Sequence, residues 1–196
     1  MISKNDKICY LCGKDKADSK DHIPPKSIFP KKTSNLLTVP THIKCNKEHE
    51  KDDEYFLFFL SVAAFSECKE MKDLWKEKIL RSLNRSESHK YKSYINDHIN
   101  SVDILSEGGI ILGNGEVFFA ETSRINRILS KIARGIVFKE DGTYIHPSSS
   151  IEIQLMKPDI KMLRGDAFCS IGNDIFQYAW HKTDSTFYLW FIFLNV

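Results

Sequence analysis

No stretch of this chain approaches the ~20 apolar residues that a membrane-crossing helix requires, and the most apolar run, Tyr55 to Phe65, is short enough to read as a buried core helix. The opening MISKNDKICYLC has no apolar segment suited to a signal peptide, so a cytoplasmic protein is expected. Internal repeats, low-complexity tracts and an obvious flexible linker are also missing. So are a Ser-His-Asp arrangement and a glycine-rich loop able to cradle phosphate, which removes two common routes to catalysis. Residues 1–47 hold no arginine, and hence no bidentate partner for phosphate. What remains is ordinary for a globular chain: 196 residues, 42% hydrophobic and 28% charged, enough for one core or for a small module plus a modest domain.

Charge and cysteine are both concentrated near the start. Residues 1–47 contain ten Lys and four Asp, a net of +6, which leaves −4 for the remainder of a chain whose total is +2. A basic segment of this kind suits a phosphate-rich partner, although a solvated lysine face has the same composition. Of five cysteines, Cys68 and Cys169 stand alone and read as core thiols. The other three fall in metal-type spacing: Cys9-x-x-Cys12, with Gly13 after it, and His42-x-x-Cys45. Two residues between the members of a pair let both reach one ion, and Zn²⁺ prefers four tetrahedral thiolate and imidazole ligands. In a chain without a secretory signature, such spacing favours a structural zinc over disulfides. A redox Cys-x-x-Cys is disfavoured because no βαβ pattern surrounds it.

Between the two pairs lie Asp21-His22-Ile-Pro-Pro and Asn35, and Asn46 follows the second pair directly. Taken alone, Asp-His before Pro-Pro reads as a turn in which Asp21 caps a local amide. Bracketed by two ligand pairs, it reads as chemistry. The arrangement resembles the HNH (His-Asn-His) nucleases, whose zinc-containing ββα-metal unit cuts nucleic acid. The resemblance covers roughly the first 55 residues, and the strings DHIPPKS, VPTHIKCN and KDDEYF are similar to a recurrent bacterial subgroup. It implies that His22 is the general base, that Asp21 and Asn46 hold a catalytic Mg²⁺ or Mn²⁺, and that Asn35 steadies the loop orienting the base. The chain departs from the pattern at Asn46, which makes it a His-Asn-Asn variety, and at His42, where a cysteine is usual. Imidazole leaves the zinc chemistry intact.

Elementary chemistry agrees with those roles. Phosphodiester hydrolysis needs a deprotonated water and a cation to offset charge building on the phosphate. A histidine with an ordinary pKa of about 6.5 suits a base near neutrality. One carboxylate and one neutral amide oxygen would hold a hard ion loosely, so the ion is expected to bind weakly without nucleic acid. His49, one helical turn past Cys45, reads as an auxiliary metal or phosphate ligand or as a surface histidine. Lys26, Lys31, Lys32 and Lys44 are assigned to backbone phosphates, contacts that are blind to sequence. Asp52 and Asp53 read as capping groups for the helix that follows.

The expected fold class is α+β: a zinc-stabilised ββα-metal module over residues 1–55, central helices, and a small C-terminal antiparallel sheet with a helix. The module's short strand is expected at residues 36–39, with a helix beginning near Thr41. Helices are predicted over 53–66, 69–83 and 87–100. A hairpin is predicted from Gly109–Leu112 and Val117–Ala120 around Gly113-Asn114-Gly115. The spacing of Ile125, Ile128, Leu129, Ile132 and Ala133 predicts a helix capped by Thr122 or Ser123, with Gly135 as its stop or kink. Alternation at Ile151, Ile153 and Leu155 predicts a strand, and Asp174–His181 with Thr186–Leu194 predicts a final aromatic hairpin. Residues 56–196 thus read as a scaffold or partner-binding domain, whose apolar terminal strand suggests a homodimer or protein partner.

The functional expectation is a metal-dependent endonuclease acting on double-stranded DNA, of a kind the resemblance associates with mobile elements and phage defence. A non-catalytic zinc module that binds nucleic acid or protein is the main rival, and an RNA-cleaving toxin of the same fold is a third reading.

Overall fold

The computed structural model describes residues 8–63, 93, 97–154 and 168–193. It is a mixture of helices and small antiparallel sheets, divided into two compact units, Met1–Leu74 with Ser123–Val196 and Trp75–Thr122. The boundary expected after residue 55 falls inside a helix.

In the first unit, β1 (Ser19–Ile23) pairs antiparallel with β2 (Leu37–Thr41), Asp21 opposite Val39 and His22 opposite Thr38. Strand alternation divides the residues between two faces: Asp21, Ile23, Val39 and Thr41 are buried, whereas His22 is half-buried and Lys20 exposed. A short helix, α1 (Ile43–Lys47), follows directly. Its first amide, Ile43 N–H, donates to the Asp18 carboxylate at 2.8 Å. Asp18 thus satisfies the start of the helix expected near Thr41, and Thr41 itself ends β2 as a buried residue.

Helix α2 (Glu50–Ala63) starts three residues earlier than its apolar pattern suggests, because Glu50, Asp52 and Asp53 all sit in the first turn, favourable to the helix dipole. It buries Tyr55, Phe56, Phe58 and Leu60. The long helix α3 (Thr122–Asp141) buries the predicted stripe of Ile125, Ile128, Leu129, Ile132 and Ala133 and extends it through Ile136 and Val137. Gly135 neither stops nor kinks α3. A Cβ there would lie 2.5 Å from Cγ1 and 2.7 Å from Cδ1 of Ile23, so the glycine is the place where α3 docks against β1.

The C-terminal sheet has the order β5 (Phe168–Ile171), β6 (Phe176–Lys182), β7 (Phe187–Phe193), all antiparallel. Phe176, Tyr178 and Phe193 pack inward, whereas Phe168 and Tyr188 are exposed. Phe176 and Phe193 meet with ring centroids 4.9 Å apart, and Phe193 meets Phe56 of α2 edge-on at 5.2 Å. Each such side chain taken out of water contributes roughly 1.5–3 kcal/mol. The Tyr178 hydroxyl donates to Glu140 at 2.8 Å and Lys182 to Asp141 at 2.8 Å, joining β6 to the end of α3.

The second unit contains a hairpin of β3 (Ile99–Leu105) and β4 (Ile111–Phe118). This corrects the predicted hairpin. Gly113, Asn114 and Gly115 lie within β4, Asn114 opposite Asp103, and the turn is Ser106 to Ile110. Gly109 supplies the positive φ of 79°, and the Ser106 hydroxyl accepts the Ile110 amide at 3.1 Å. A seven-residue partner strand upstream outweighs the local Asn-Gly signal. The helix expected over 87–100 ends accordingly, Asp97 and His98 being helical and Ile99 already in β3. The helix expected over 69–83 and Cys68 lie outside the described residues. Ile151–Gln154 have no regular structure where a strand was expected.

Gly135→Ala is expected to destabilise the protein. The gain in helix propensity, about 1 kcal/mol, is smaller than the ~1–3 kcal/mol of overpacking against a buried isoleucine. Denaturant unfolding should show a net loss of up to about 2 kcal/mol, and a stabilised variant would refute close docking of α3 on β1.

Candidate functional site

The Cys9–Cys12 loop is a tight turn closed by hydrogen bonds from Gly13 N–H to the Cys9 carbonyl at 2.8 Å and from Cys9 N–H to the Lys14 carbonyl at 2.9 Å. Gly13 has φ of 70°, and the Tyr144 ring packs against it where a Cβ would stand. Tyr10 N–H donates to the Pro40 carbonyl at 3.0 Å, which fastens this loop to β2. The end of β2 and the start of α1 deliver His42 and Cys45. One ligand atom from each of Cys9, Cys12, His42 and Cys45 lies within 4.8 Å of the others. His42 Nδ1 is 3.4 Å from Cys12 Sγ and 3.9 Å from Cys45 Sγ. Nitrogen and sulfur held tetrahedrally on one zinc would stand about 3.6 Å apart.

The surroundings orient this set. His42 Nε2 lies 3.1 Å from the Asp15 carbonyl, so its proton belongs there and Nδ1 is left to face the sulfurs. That carbonyl is the main cause raising the His42 pKa above its ordinary value. Burial alone would raise the Cys9 thiol, but the Thr41 hydroxyl, 3.5 Å away, and the amides of Cys12, His42 and Leu11 bring it down to about 6. Burial and the neighbouring thiols push Cys45 up to about 12. Three thiols in one small space cannot all ionise unless a cation joins them. The donor set is soft, fourfold and short of positive charge, which fits zinc.

The second grouping lies beside the first. Asp21, only 5% exposed, accepts a 2.6 Å hydrogen bond from the Tyr10 hydroxyl. The terminal amide atom of Asn46 that faces Asp21 is 3.1 Å from both carboxylate oxygens. With nitrogen in that position, the amide donates two hydrogen bonds. The hydrogen bonding favours that orientation; turned over, the amide would present its oxygen to the carboxylate instead. Neighbouring oxygen ligands of an octahedral ion at ~2.1 Å stand about 3.0 Å apart, so the donor atoms also fit a Mg²⁺-sized ion.

Lys131 of α3 completes the grouping and was not foreseen. Its side chain has 0% exposure, and its ammonium lies 3.2 Å from Asp21 Oδ2 and 3.0 and 2.9 Å from the two oxygens of Asp53. Burial pushes the Asp53 carboxyl up to about 6 against the pull of Lys131. Asp52 accepts from Arg124 Nε at 2.8 Å and from Arg127 at 2.7 and 3.1 Å. Burial would raise its pKa, but these two guanidinium groups hold it below the ordinary value. Asp52 and Asp53 are thus ion-pair partners of α3 rather than capping groups. The sequence did contain a signal: Lys131 interrupts the apolar stripe between Ile128 and Ile132, and a lysine at a core position is rare unless paired.

The remaining candidates are more dispersed. His22, on the opposite face of β1 from Asp21, has its pKa lowered by burial and by Lys26, with Asp21 opposing. His49 is half-buried, its pKa lowered by burial and then by Lys131, against Asp21. It lines a cavity of about 610 Å³ together with Cys12, Cys45, Lys131, Arg134 and Tyr144. Asn35 is exposed with φ of 61°, in the loop before β2, and is not among the groups bonded to Asp21. Lys26, Lys31, Lys32 and Lys44 are all exposed. Cys169 is half-buried. Among the described residues no helix is long and apolar enough to cross a membrane.

Comparison with protein-family models, with curated proteins and with solved structures returned no match.

Metal analysis of the purified protein should find about one zinc per chain. Cys9→Ser and Cys45→Ser should each lose most of it and lower the thermal midpoint, as should a strong chelator. Full zinc retention in both variants would exclude the fourfold site.

Proposed function

We propose that this protein is a divalent-metal-dependent endonuclease of the HNH kind that hydrolyses phosphodiester bonds in DNA. The observation that carries the reading is the convergence of the Asp21 carboxylate and the Asn46 side-chain amide, 3.1 Å apart, immediately beside the Cys9–Cys12–His42–Cys45 cluster. The succession of β1 and β2 between the two halves of that cluster, followed by α1, which carries Cys45, supports reading the segment as a ββα-metal module. Asp21 and Asn46 would hold Mg²⁺ or Mn²⁺, which when bound supplies positive charge to the phosphate as negative charge builds there. His22, kept neutral by burial and by Lys26, takes the proton of the attacking water at an imidazole nitrogen. The exposed Lys26, Lys31, Lys32 and Lys44 meet the backbone phosphates.

Two observations favour a second reading, a zinc module that binds nucleic acid or protein without cutting it. Lys131 already offsets the charge of Asp21, and strand alternation sets His22 on the other face of β1. In that reading the cluster around Asp21 serves only to join β1, α2 and α3.

Digestion of supercoiled plasmid, single-stranded DNA and RNA with Mg²⁺ or Mn²⁺ separates these alternatives. The wild type should cut DNA. His22→Ala should lose a factor of about 10²–10⁴ while keeping zinc content and DNA binding. A binding module shows no metal-dependent cleavage in either form, and a preference for RNA would change the substrate but not the chemistry.

The pH profile supplies an independent check. A base must be unprotonated to act, and the His22 pKa lies below its ordinary 6.5. The acidic limb of kcat/KM measured with wild-type protein should therefore have its midpoint below 6.5. An acidic limb centred above 6.5 would argue against His22 as the base.

A further inference from the structure

Lys131 carries a charge that the proposed hydrolysis does not itself call for. The stripe around it is apolar, and an aliphatic residue would fill the same space between Ile128 and Ile132. Instead a fully buried ammonium bridges Asp21 and Asp53 at 3.2 and 2.9 Å. The Asp21 carboxylate it touches is the one that faces Asn46 at 3.1 Å. An ammonium and a divalent ion would therefore act on the same carboxylate. The formal charge of Asp21, Asp53 and Lys131 together is −1, and without the ammonium it would be −2. At the effective dielectric of about 20 that suits such sites, one unit charge a few Å from a dication changes its affinity by far more than tenfold.

We propose that Lys131 is the resident cation of the Asp21 site. It keeps the affinity for free divalent ions low, so that an ion is retained only together with the phosphate of a bound nucleic acid. This inference rests on the reading that Asp21 and Asn46 hold the ion. The phosphate contributes both negative charge and an oxygen ligand, and a Mg²⁺-type ion is commonly held in that way, by one or two carboxylates plus substrate phosphate. Lys131 is then a positioning residue, fixing where Asp21 points and how strongly it attracts a cation.

The test is a Mn²⁺ titration of zinc-loaded protein, followed by the electron paramagnetic resonance of free Mn²⁺. Lys131→Gln should bind Mn²⁺ at least tenfold more tightly than wild type, and Lys131→Arg about equally. A lysine that served only to hold the fold would give the opposite result, looser binding on its removal. In a His22→Ala background, a short DNA duplex should tighten Mn²⁺ binding at least tenfold when Lys131 is present and less when it is glutamine. Equal or weaker Mn²⁺ binding by Lys131→Gln overturns the inference. Asp21→Asn tests the underlying reading separately: if it leaves Mn²⁺ binding unchanged, the ion is not held at Asp21 at all.

Should Lys131→Gln fail to fold, wild-type protein labelled with ¹⁵N-lysine still decides the matter. The buried ammonium resonance of Lys131, assigned by its loss in Lys131→Arg, should shift in step with Mg²⁺ saturation. A resonance indifferent to saturating Mg²⁺ overturns the inference.

Discussion

The contact on which this architecture most depends is the ammonium of Lys131 between two carboxylates from different parts of the chain. Removing a charged lysine from water carries a penalty of several kcal/mol, which only close, well-satisfied partners offset. Asp21 comes from β1 and Asp53 from α2, while Lys131 comes from the middle of α3. The three elements are therefore obliged to meet at one place, and displacing any of them leaves a buried charge alone. Arg127 and Arg124 repeat the device one and two turns earlier on α3, clasping Asp52. Hydrophobic burial supplies most of the stability of such a unit, but it is not directional. These ion pairs are directional. They fix the rotation and height of α3 against β1, with Gly135 permitting the close approach one turn further along.

The two groupings near the N-terminus are mechanically one object. Tyr10, which hydrogen-bonds Asp21, lies between the zinc-type ligands Cys9 and Cys12. Asn46, which faces Asp21 from the other side, follows Cys45 directly. A metal ion that clamps the four ligands thus sets the positions of two of the groups surrounding the buried carboxylate. Those groups have little freedom of their own: the Tyr10 amide is tied to Pro40 and the Asn46 amide to the His42 carbonyl. A metal ion held there would contribute geometry to a site it does not touch, much as outer residues orient the ligands of a metal.

How much of this was legible in the sequence depended on whether the information was local. The four soft ligands were readable because their spacing is set by turns of two or three residues. The α3 stripe and the β6–β7 hairpin were readable because each repeats a simple period over many residues. Reading failed where a distant partner decided the outcome. The Asn114-Gly115 turn signal lost to a longer ladder with β3, whose own sequence, Ile99–Leu105, had no local mark strong enough to be recognised. Gly135 resembled a helix stop until Ile23, far away in sequence, explained it. Local rules offer Asp52 and Asp53 only as helix-capping acids, and their basic partners lie on a helix more than seventy residues further along the chain. Lys131 stood in plain view within an apolar stripe, but its meaning required knowing what faced it.

The lysines of this protein divide into two kinds with opposite chemistry. Lys26, Lys31, Lys32 and Lys44 are exposed, and their attraction for a polyanion is long-ranged, unspecific and weakened by salt. Lys131 is sealed from solvent, so salt screens it little and it acts only over the few Å to Asp21 and Asp53. The first kind can recruit a nucleic acid but cannot hold a carboxylate in place. The second can hold the carboxylate but cannot reach a partner. A carboxylate that is buried, triply bonded and already facing a cation is slow to accept another, whereas an exposed basic surface accepts a phosphate backbone readily. On the proposed nuclease reading, a reaction at Asp21 would begin with the backbone settling on the exposed lysines, and the interior charge balance would shift only once that anion had arrived.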